Sequence, residues 1–250
     1  MVVITVLSWN LFWALGYPTG ELSRAKKAIT YFRQRNDRKE LLAITDVIKK
    51  NNADIVGLQE IDDGSRRNGQ YSHRTFIQQH TPLHYSAYAA DRTWLAYCND
   101  GNAVFSTKPL HNIQRVTLPY RMEKRVAIIS TIRIGKRAID VYVTHFGAHK
   151  TNKKERCAQA RAIRDRIKKL KRPAIVMGDL NCEPDDEEFK ILCDNTLHHL
   201  PHAPSYPAFR PTKRYDHILC TADLKIIKCK TLSVRHSDHL PVLATIEVTP

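Results

Sequence analysis

The 250-residue sequence contains no apolar run long enough to cross a bilayer. No basic leader with a small-residue cleavage pattern precedes its first apolar residues, so the protein is expected to be cytoplasmic. No amphipathic segment marks a membrane-docking element, and a monomer without stable membrane association is expected. No linker rich in Gly, Ser or Pro and no shift in composition divides the chain. Residues 1–250 are therefore read as a single domain with a substantial core. There are six cysteines but no Cys-x-x-Cys pair, which argues against zinc-ribbon and thioredoxin-like sites and for reduced thiols. The absence of a Gly-rich phosphate loop of the Walker type argues against a nucleotide-driven kinase or ATPase.

Acidic residues are also in short supply. Lys plus Arg number 40 against 25 Asp plus Glu, a formal net charge of +15 spread along the chain rather than held in a tail. A positive field concentrates phosphates and speeds their association, so a polyanionic partner is favoured. The plainer alternative is a basic enzyme acting on a small phosphate ester.

What the chain does contain is a series of apolar strands that end in polar groups. Residues 2–8 read as a strand that delivers Asn10. A basic segment from Glu21 to Arg35 reads as a short helix, and Asp37 with Glu40 forms a capping-box pattern before Leu41, Ile44, Val47 and Ile48 at helical spacing. Asp54–Glu60 is a second buried strand, ending on a carboxylate. A short helix is expected over Ser72–His80. Strands are expected over 84–90 and 102–106, separated by a long loop holding Asp91, Arg92, Trp94 and Tyr97. Those loop aromatics suit either base stacking or a lid on the core.

Residues 125–134 and 137–145 form a hairpin pattern whose second strand ends on His145. A helix follows from Asn152, with Glu155 completing a second capping box and a stripe of Arg156, Ala160, Ile163, Ile167 and Leu170. Arg156 is expected either to brace the region near His145 or to snorkel to solvent. Lys168, Lys169, Lys171 and Arg172 suit the helix dipole, and Asp185–Glu188 suit the start of the next helix rather than a metal site.

Ala174–Asn181 runs apolar and then sets Asp179 and Asn181 two residues apart beyond Gly178. That pattern fits two side chains facing one site, and equally a strand followed by an Asx turn. Residues 198–213 read as an irregular loop near the site. Asp216 opens a further strand, and Asp238-His239 precedes the closing strand Val242–Val248.

Collected, the strand ends supply Asn10, Glu60, His145, Asp179, Asn181, Asp216, Asp238 and His239. Repeated polar termini of buried strands imply one crevice at one end of a sheet, where α/β proteins place their sites. Oxygen donors without cysteine suit a hard cation such as magnesium or manganese, and two histidines near neutrality suit proton transfer at phosphorus.

Ser8-Trp9-Asn10, Leu58-Gln59-Glu60, Thr144-His145, Gly178-Asp179-Leu180-Asn181, Asp216 and Ser237-Asp238-His239-Leu240-Pro241 together resemble the motif series of the endonuclease/exonuclease/phosphatase superfamily, in its order and over almost the whole chain. The resemblance implies a four-layer α/β sandwich of two mixed sheets and metal-dependent cleavage of phosphoester bonds. It implies Glu60 as principal ligand to Mg2+, with Mn2+ as the alternative, and Asn10 and Asp238 nearby. His239, paired with Asp216, is implied as general base or stabiliser. Asp179 is implied to position or activate the water, Asn181 to hold the transition state, and His145 to contact the scissile phosphate or assist the leaving group.

Gln59-Glu60-Ile61-Asp62 with Arg67, Gly101-Asn102-Ala103, Arg125, Arg156 with Gln159, and Tyr206-Pro207-Ala208 resemble the bacterial metal-dependent hydrolases of this superfamily. Arg67, Asn102, Arg125 and Arg214 are accordingly expected to bind substrate. Thr144-His145 departs from the abasic-site repair branch, which has a Tyr and an Asn in that region. The expected activity is metal-dependent phosphodiester hydrolysis of nucleic acid. The alternative substrate is a phospholipid headgroup, an inositol phosphate or another small phosphoester.

Overall fold

Side chains alternate across a strand, and here the alternation sorts residues into three separate cores. On β1 (Val2–Asn10), Ile4 and Val6 pack in one apolar cluster while Leu7 and Trp9 pack in another. On β8 (Ala174–Asp179), Ile175 and Met177 join the first cluster while Ala174 and Val176 join a third. The shared cluster is the interface between two sheets, and the other two lie beneath helices. The fold is thus a four-layer α/β sandwich, as expected. The computed structural model describes residues 1–16, 37–94, 98–149 and 152–249. The basic helix expected over Glu21–Arg35 and the aromatic Tyr97 fall outside these residues, as does the side chain of Trp94.

One sheet has the order β11 (Leu224–Thr231), β12 (Val242–Val248), β1, β2 (Ile55–Asp62), β4 (Cys98–Ser106), β3 (Tyr85–Trp94). The other has the order β5 (Leu110–Thr117), β6 (Val126–Ile134), β7 (Arg137–His145), β8, β10 (Asp216–Thr221), β9 (Leu197–His198). Each is mixed. Its parallel pair, β1 with β2 or β7 with β8, lies at the centre, and all other pairs are antiparallel. Helices α1 (Arg38–Lys50) and α2 (His73–His80) cover the first sheet through Leu41, Ile44, Ile48, Phe76 and Ile77. Helices α3 (Lys153–Leu170) and α4 (Glu187–Cys193) cover the second through Ala160, Ile163, Ile167, Phe189 and Leu192.

Several local expectations are corrected. Neither capping box closes: Asp37 and Asn152 stand at the N-caps but make no side-chain cap bond. Tertiary partners claim the carboxylates instead, since Asp37 Oδ2 lies 2.5 Å from His73 Nε2 and Glu155 Oε2 accepts from the backbone of Arg121 and Met122. The expected long loop between β3 and β4 is largely strand, pairing Arg92 with Asp100 and Trp94 with Cys98. Polar composition concealed that pairing, as it concealed the edge strand β5, whose largely exposed residues carry no buried apolar alternation, and β11, where only Leu224 and Ile226 alternate into the core before the strand turns polar. Leu170 ends its helical stripe exposed rather than buried.

Arg156 braces rather than snorkels. Its Nε donates to Glu188 Oε1 at 2.7 Å, and one terminal nitrogen donates to Gly147 O and His149 O, just beyond His145.

Two glycines permit close approach where the sheets carry the site. A Cβ on Gly57 would meet Met177 Sδ at 2.5 Å across the inter-sheet core. A Cβ on Gly178 would meet Thr144 O on neighbouring β7 at 1.8 Å. A methionine end can move, whereas a backbone carbonyl in a central parallel pair cannot without parting the strands. Gly178→Ala is therefore expected to lower unfolding free energy by about 3 kcal/mol, at the upper end of overpacking effects. Urea denaturation of the purified variant checks this, and Gly57→Ala should lose less.

Candidate active site

The same alternation that builds the inter-sheet core carries the polar residues to its open end. On β7, Ile139, Val141 and Val143 face that core, and two residues on stands His145. On β8 the series Ile175, Met177 ends in Asp179, and on β10 Cys220, Ile218 leads back to Asp216. Register then aligns them, because His145 pairs with Asp179 and Asp179 with Asp216 on successive strands. The three residues form a row across the second sheet. From the first sheet, Asn10 faces them at the end of β1.

Glu60 reaches the same crevice by a different device. Leu58 and Ile61 both pack in the outer core, and the β2–β4 register slips between them. Glu60 sits in this bulge with φ of 52°, a left-handed conformation uncommon for a carboxylate residue and typical of bulges beside functional sites. The bulge turns its side chain toward Asp238, Arg125, His239 and Asp179, the charged groups whose fields act on it most strongly.

Asp179 Oδ2 is the focus. Asn10 Nδ2 donates to it at 3.1 Å, His145 Nε2 lies at 3.4 Å and His239 Nε2 at 3.7 Å. Its other oxygen accepts from Asn181 N at 2.9 Å. This is the Asx turn: extended structure stops at Asp179, Asn181 has φ of 48°, and its amide donates to Phe146 O. Asp216 Oδ2 accepts from Ser205 Oγ at 2.6 Å and contacts His239 Nδ1 at 2.8 Å. The Ser237-Asp238-His239 loop is pinned to β1, because Trp9 Nε1 donates to His239 O and Ser237 Oγ to Asn10 O.

The fields follow from this geometry. Burial pulls the His239 pKa down, but Asp216 and Asp179 outweigh it and hold the ring as an imidazolium, up to about 10. Burial pushes Asp179 up to about 6, with His239 opposing the rise. Glu60 rises to about 7 through burial and Asp238, which Arg125 and His239 only partly offset.

Of the residues expected to bind substrate, none extends freely into the crevice. Arg125 is buried, pairs with Asp91 and Glu123, and reaches His145 Nδ1 at 3.1 Å. A guanidinium only donates, so His145 Nδ1 accepts and its proton sits on Nε2, toward Asp179. Asn102 donates to Val126 O, beside that arginine. Arg67 is locked between Asp62 at 2.5 Å and Asp100 at 2.7 Å and lies outside the crevice cluster. Arg214 is half-buried, and its field acts on His199 and His202. Sequence reasoning missed Ser205, Asp91 and Glu123, which orient catalytic-end side chains from loops and an edge strand. No local pattern marks them.

A family model, the Endonuclease/Exonuclease/phosphatase family, matches residues 7–239. The chain belongs to this family. Membership makes it a phosphoester hydrolase, in a family that generally uses a divalent metal. No curated protein matches the chain significantly in sequence. Among solved structures, an endonuclease/exonuclease/phosphatase from Bacteroides vulgatus is 16% identical, with 100% of each chain covered and a TM-score of 0.76. The mannosyl-6-phosphatase of Bacteroides thetaiotaomicron is 16% identical over 98% of this chain and 99% of that one, TM-score 0.73. Truncated Caenorhabditis elegans TDP2 is 17% identical over 98% and 97%, TM-score 0.71. Among the described residues no helix is long and apolar enough to cross a membrane.

The donors fit a divalent cation. Glu60 Oε2 is buried without a hydrogen-bond partner, and burial together with the charge of Asp238 raises the pKa of its carboxyl, a frustration that a cation relieves. Asp179, Asp216 and His239 also bring ligand atoms within 4.8 Å of one another. There, however, Asp216 already holds His239 at 2.8 Å, so this group reads better as a hydrogen-bonded charge relay than as a ligand shell.

Two outcomes follow for this family member. A carboxyl raised from 4.5 to about 7 stabilises the metal-free fold fully below pH 4.5, and that contribution is lost as pH rises through 7. Glu60→Gln should flatten the loss between pH 6 and 7 in urea denaturation with chelator, leaving the lower-pH part from Asp179. Arg125→Lys keeps the charge but loses the fork that fixes His145, and should lower kcat about tenfold or more with the melting temperature little changed.

Proposed function

We propose that the protein is a magnesium-dependent phosphodiesterase that hydrolyses nucleic acid by water attack, with Mn2+ as a substitute ion. The observation that carries the hydrolytic part is the convergence of Asn10, His145 and His239 on one oxygen of Asp179, beside the orphaned Glu60 carboxylate. The net charge of +15 supports the polyanionic substrate.

Glu60 would hold the ion with Asn10 and Asp238, and the ion would supply charge neutralisation at the phosphoryl group. Asp179, a carboxyl near 6 surrounded by donors, orients the water and accepts its proton. His239, charged and held by Asp216, donates to a phosphoryl oxygen as negative charge grows there. It is a stabiliser in this reading rather than the base, because a ring facing two carboxylates keeps its proton. His145, fixed by Arg125 with its proton on Nε2, donates to the scissile phosphate or the leaving oxygen. Asn181 stands on the turn beside Asp179, its backbone N–H donating to Asp179 Oδ1 and its side-chain amide to Phe146 O.

A small phosphoester substrate is the second reading. One solved relative is a mannosyl-6-phosphatase, and the catalytic groups would serve either substrate alike.

A substrate panel with and without chelator tests both readings. Glu60→Ala and His239→Ala should each lower turnover by at least about a hundredfold while the chain stays folded. Chelation should abolish turnover and added magnesium restore it. On nucleic acid, kcat/KM should fall steeply as salt rises. Rapid hydrolysis of sugar phosphate, inositol phosphate or lipid substrates, with DNA and RNA inert, would select the second reading.

A further inference from the structure

The connection from β5 to β6 is bolted down through its backbone, yet the side chains at its tip face solvent. Leu118 N donates to Arg125 O at 2.8 Å and closes the loop on itself. From α3, Glu155 Oε2 accepts from Arg121 N at 3.0 Å and Met122 N at 3.2 Å, and Gln159 Nε2 donates to Pro119 O at 3.1 Å. Glu123 joins the loop to the site, since one of its oxygens accepts from Arg125 and the other from Ala148 N, both at 2.8 Å. Through Arg125 the loop is one residue away from His145.

Apart from Glu123, this anchoring leaves the side chains of residues 119–124 exposed. Tyr120 is 51% exposed and Met122 83%, and Arg121 and Lys124 are exposed without an ion-pair partner among the described residues. Some exposed cations elsewhere have such partners, among them Lys153 with Glu187, Lys168 with Asp194 and Lys213 with Glu183. A loop held rigid beside the crevice, with an exposed aromatic ring followed by two exposed cations, has the composition of a surface that meets a nucleic-acid strand. A lipid surface would call for a broader apolar patch than one tyrosine and one methionine.

We propose that residues 119–124 form a rim that binds single-stranded nucleic acid flanking the scissile phosphate. Arg121 and Lys124 pair with backbone phosphates, and Tyr120 stacks on an unpaired base. The inference rests on the proposed nuclease function and adds to it the path and the single-stranded character of the substrate. Tyr120, Arg121 and Lys124 do not belong to the catalytic groups or to their braces, so binding and chemistry are separable at these three positions.

The test compares wild type, Tyr120→Ala and the double variant Arg121→Ala/Lys124→Ala with magnesium present. The substrates are a single-stranded oligonucleotide, its duplex and bis(p-nitrophenyl) phosphate, a diester too small to reach the loop. On the single strand, the double variant should raise KM about tenfold and make the dependence of log kcat/KM on log salt shallower by about 1.4, the value for two lost phosphate contacts. Tyr120→Ala should raise KM about fivefold or more on the single strand and less on the duplex. All three proteins should melt alike and hydrolyse the small diester equally.

If wild type cleaves the oligonucleotide and the double variant matches it in KM and salt slope, the rim is wrong and the nuclease reading stands. If wild type hydrolyses the small diester but no nucleic acid, the nuclease reading falls and takes the rim with it. A larger effect of Tyr120→Ala on duplex than on single strand overturns base stacking. Binding to phosphatidylserine vesicles that the double variant loses, with oligonucleotide kinetics unchanged, assigns the loop to a membrane and overturns the proposal.

Discussion

The Asp179 carboxylate ties the two sheets together at their catalytic end. It belongs to one sheet, where its own strand sets it between His145 and Asp216, and it accepts a hydrogen bond from Asn10 of the other. His239, carried on a loop pinned to that other sheet by Trp9, closes on it from the same side. Burying a carboxylate is unfavourable unless donors surround it, so the sheets must meet in one relative position for Asp179 to be satisfied. The apolar inter-sheet core holds them in that position, and the polar cluster at its end specifies where the core stops.

The site retains strain and frustration that the core offsets. Glu60 occupies a left-handed backbone conformation in a bulge, and one of its oxygens is buried without a partner. Asp216 likewise has a buried oxygen without a hydrogen bond. Such groups lower the stability of the ligand-free fold and leave coordination and hydrogen-bonding capacity for an ion and a phosphate. Around them the chain is over-determined, with Arg125 between Asp91, Glu123 and His145, and Arg156 between Glu188 and the turn after β7. Of the arginines on which substrate binding was expected to rest, Arg125 holds His145 in place.

Much of the fold was legible because buried strands and amphipathic helices announce themselves by period. The hairpin of β6 and β7, the helix before Pro82 and the closing strand Val242–Val248 lie where the alternation places them. Edge strands did not, because β5 presents exposed polar residues with no alternation to read and β11 alternates only over Leu224 and Ile226. Capping failed for a different reason. Asp37 and Glu155 have the right spacing for capping boxes, but a buried histidine and an exposed loop backbone offered them stronger partners from elsewhere in the chain.

By itself the sequence determined the list of chemically capable strand ends and the family, because both are carried by local patterns in chain order. Tertiary structure decided which of those groups meet. Only the register of β7, β8 and β10 makes His145, Asp179 and Asp216 neighbours, and only the bulge in β2 turns Glu60 inward. Only the folded loops bring Ser205 to Asp216 and Arg125 to His145. Proton positions and raised carboxyl pKa values arise from burial and from charges distant in sequence, and those are properties of the assembled sandwich rather than of any segment.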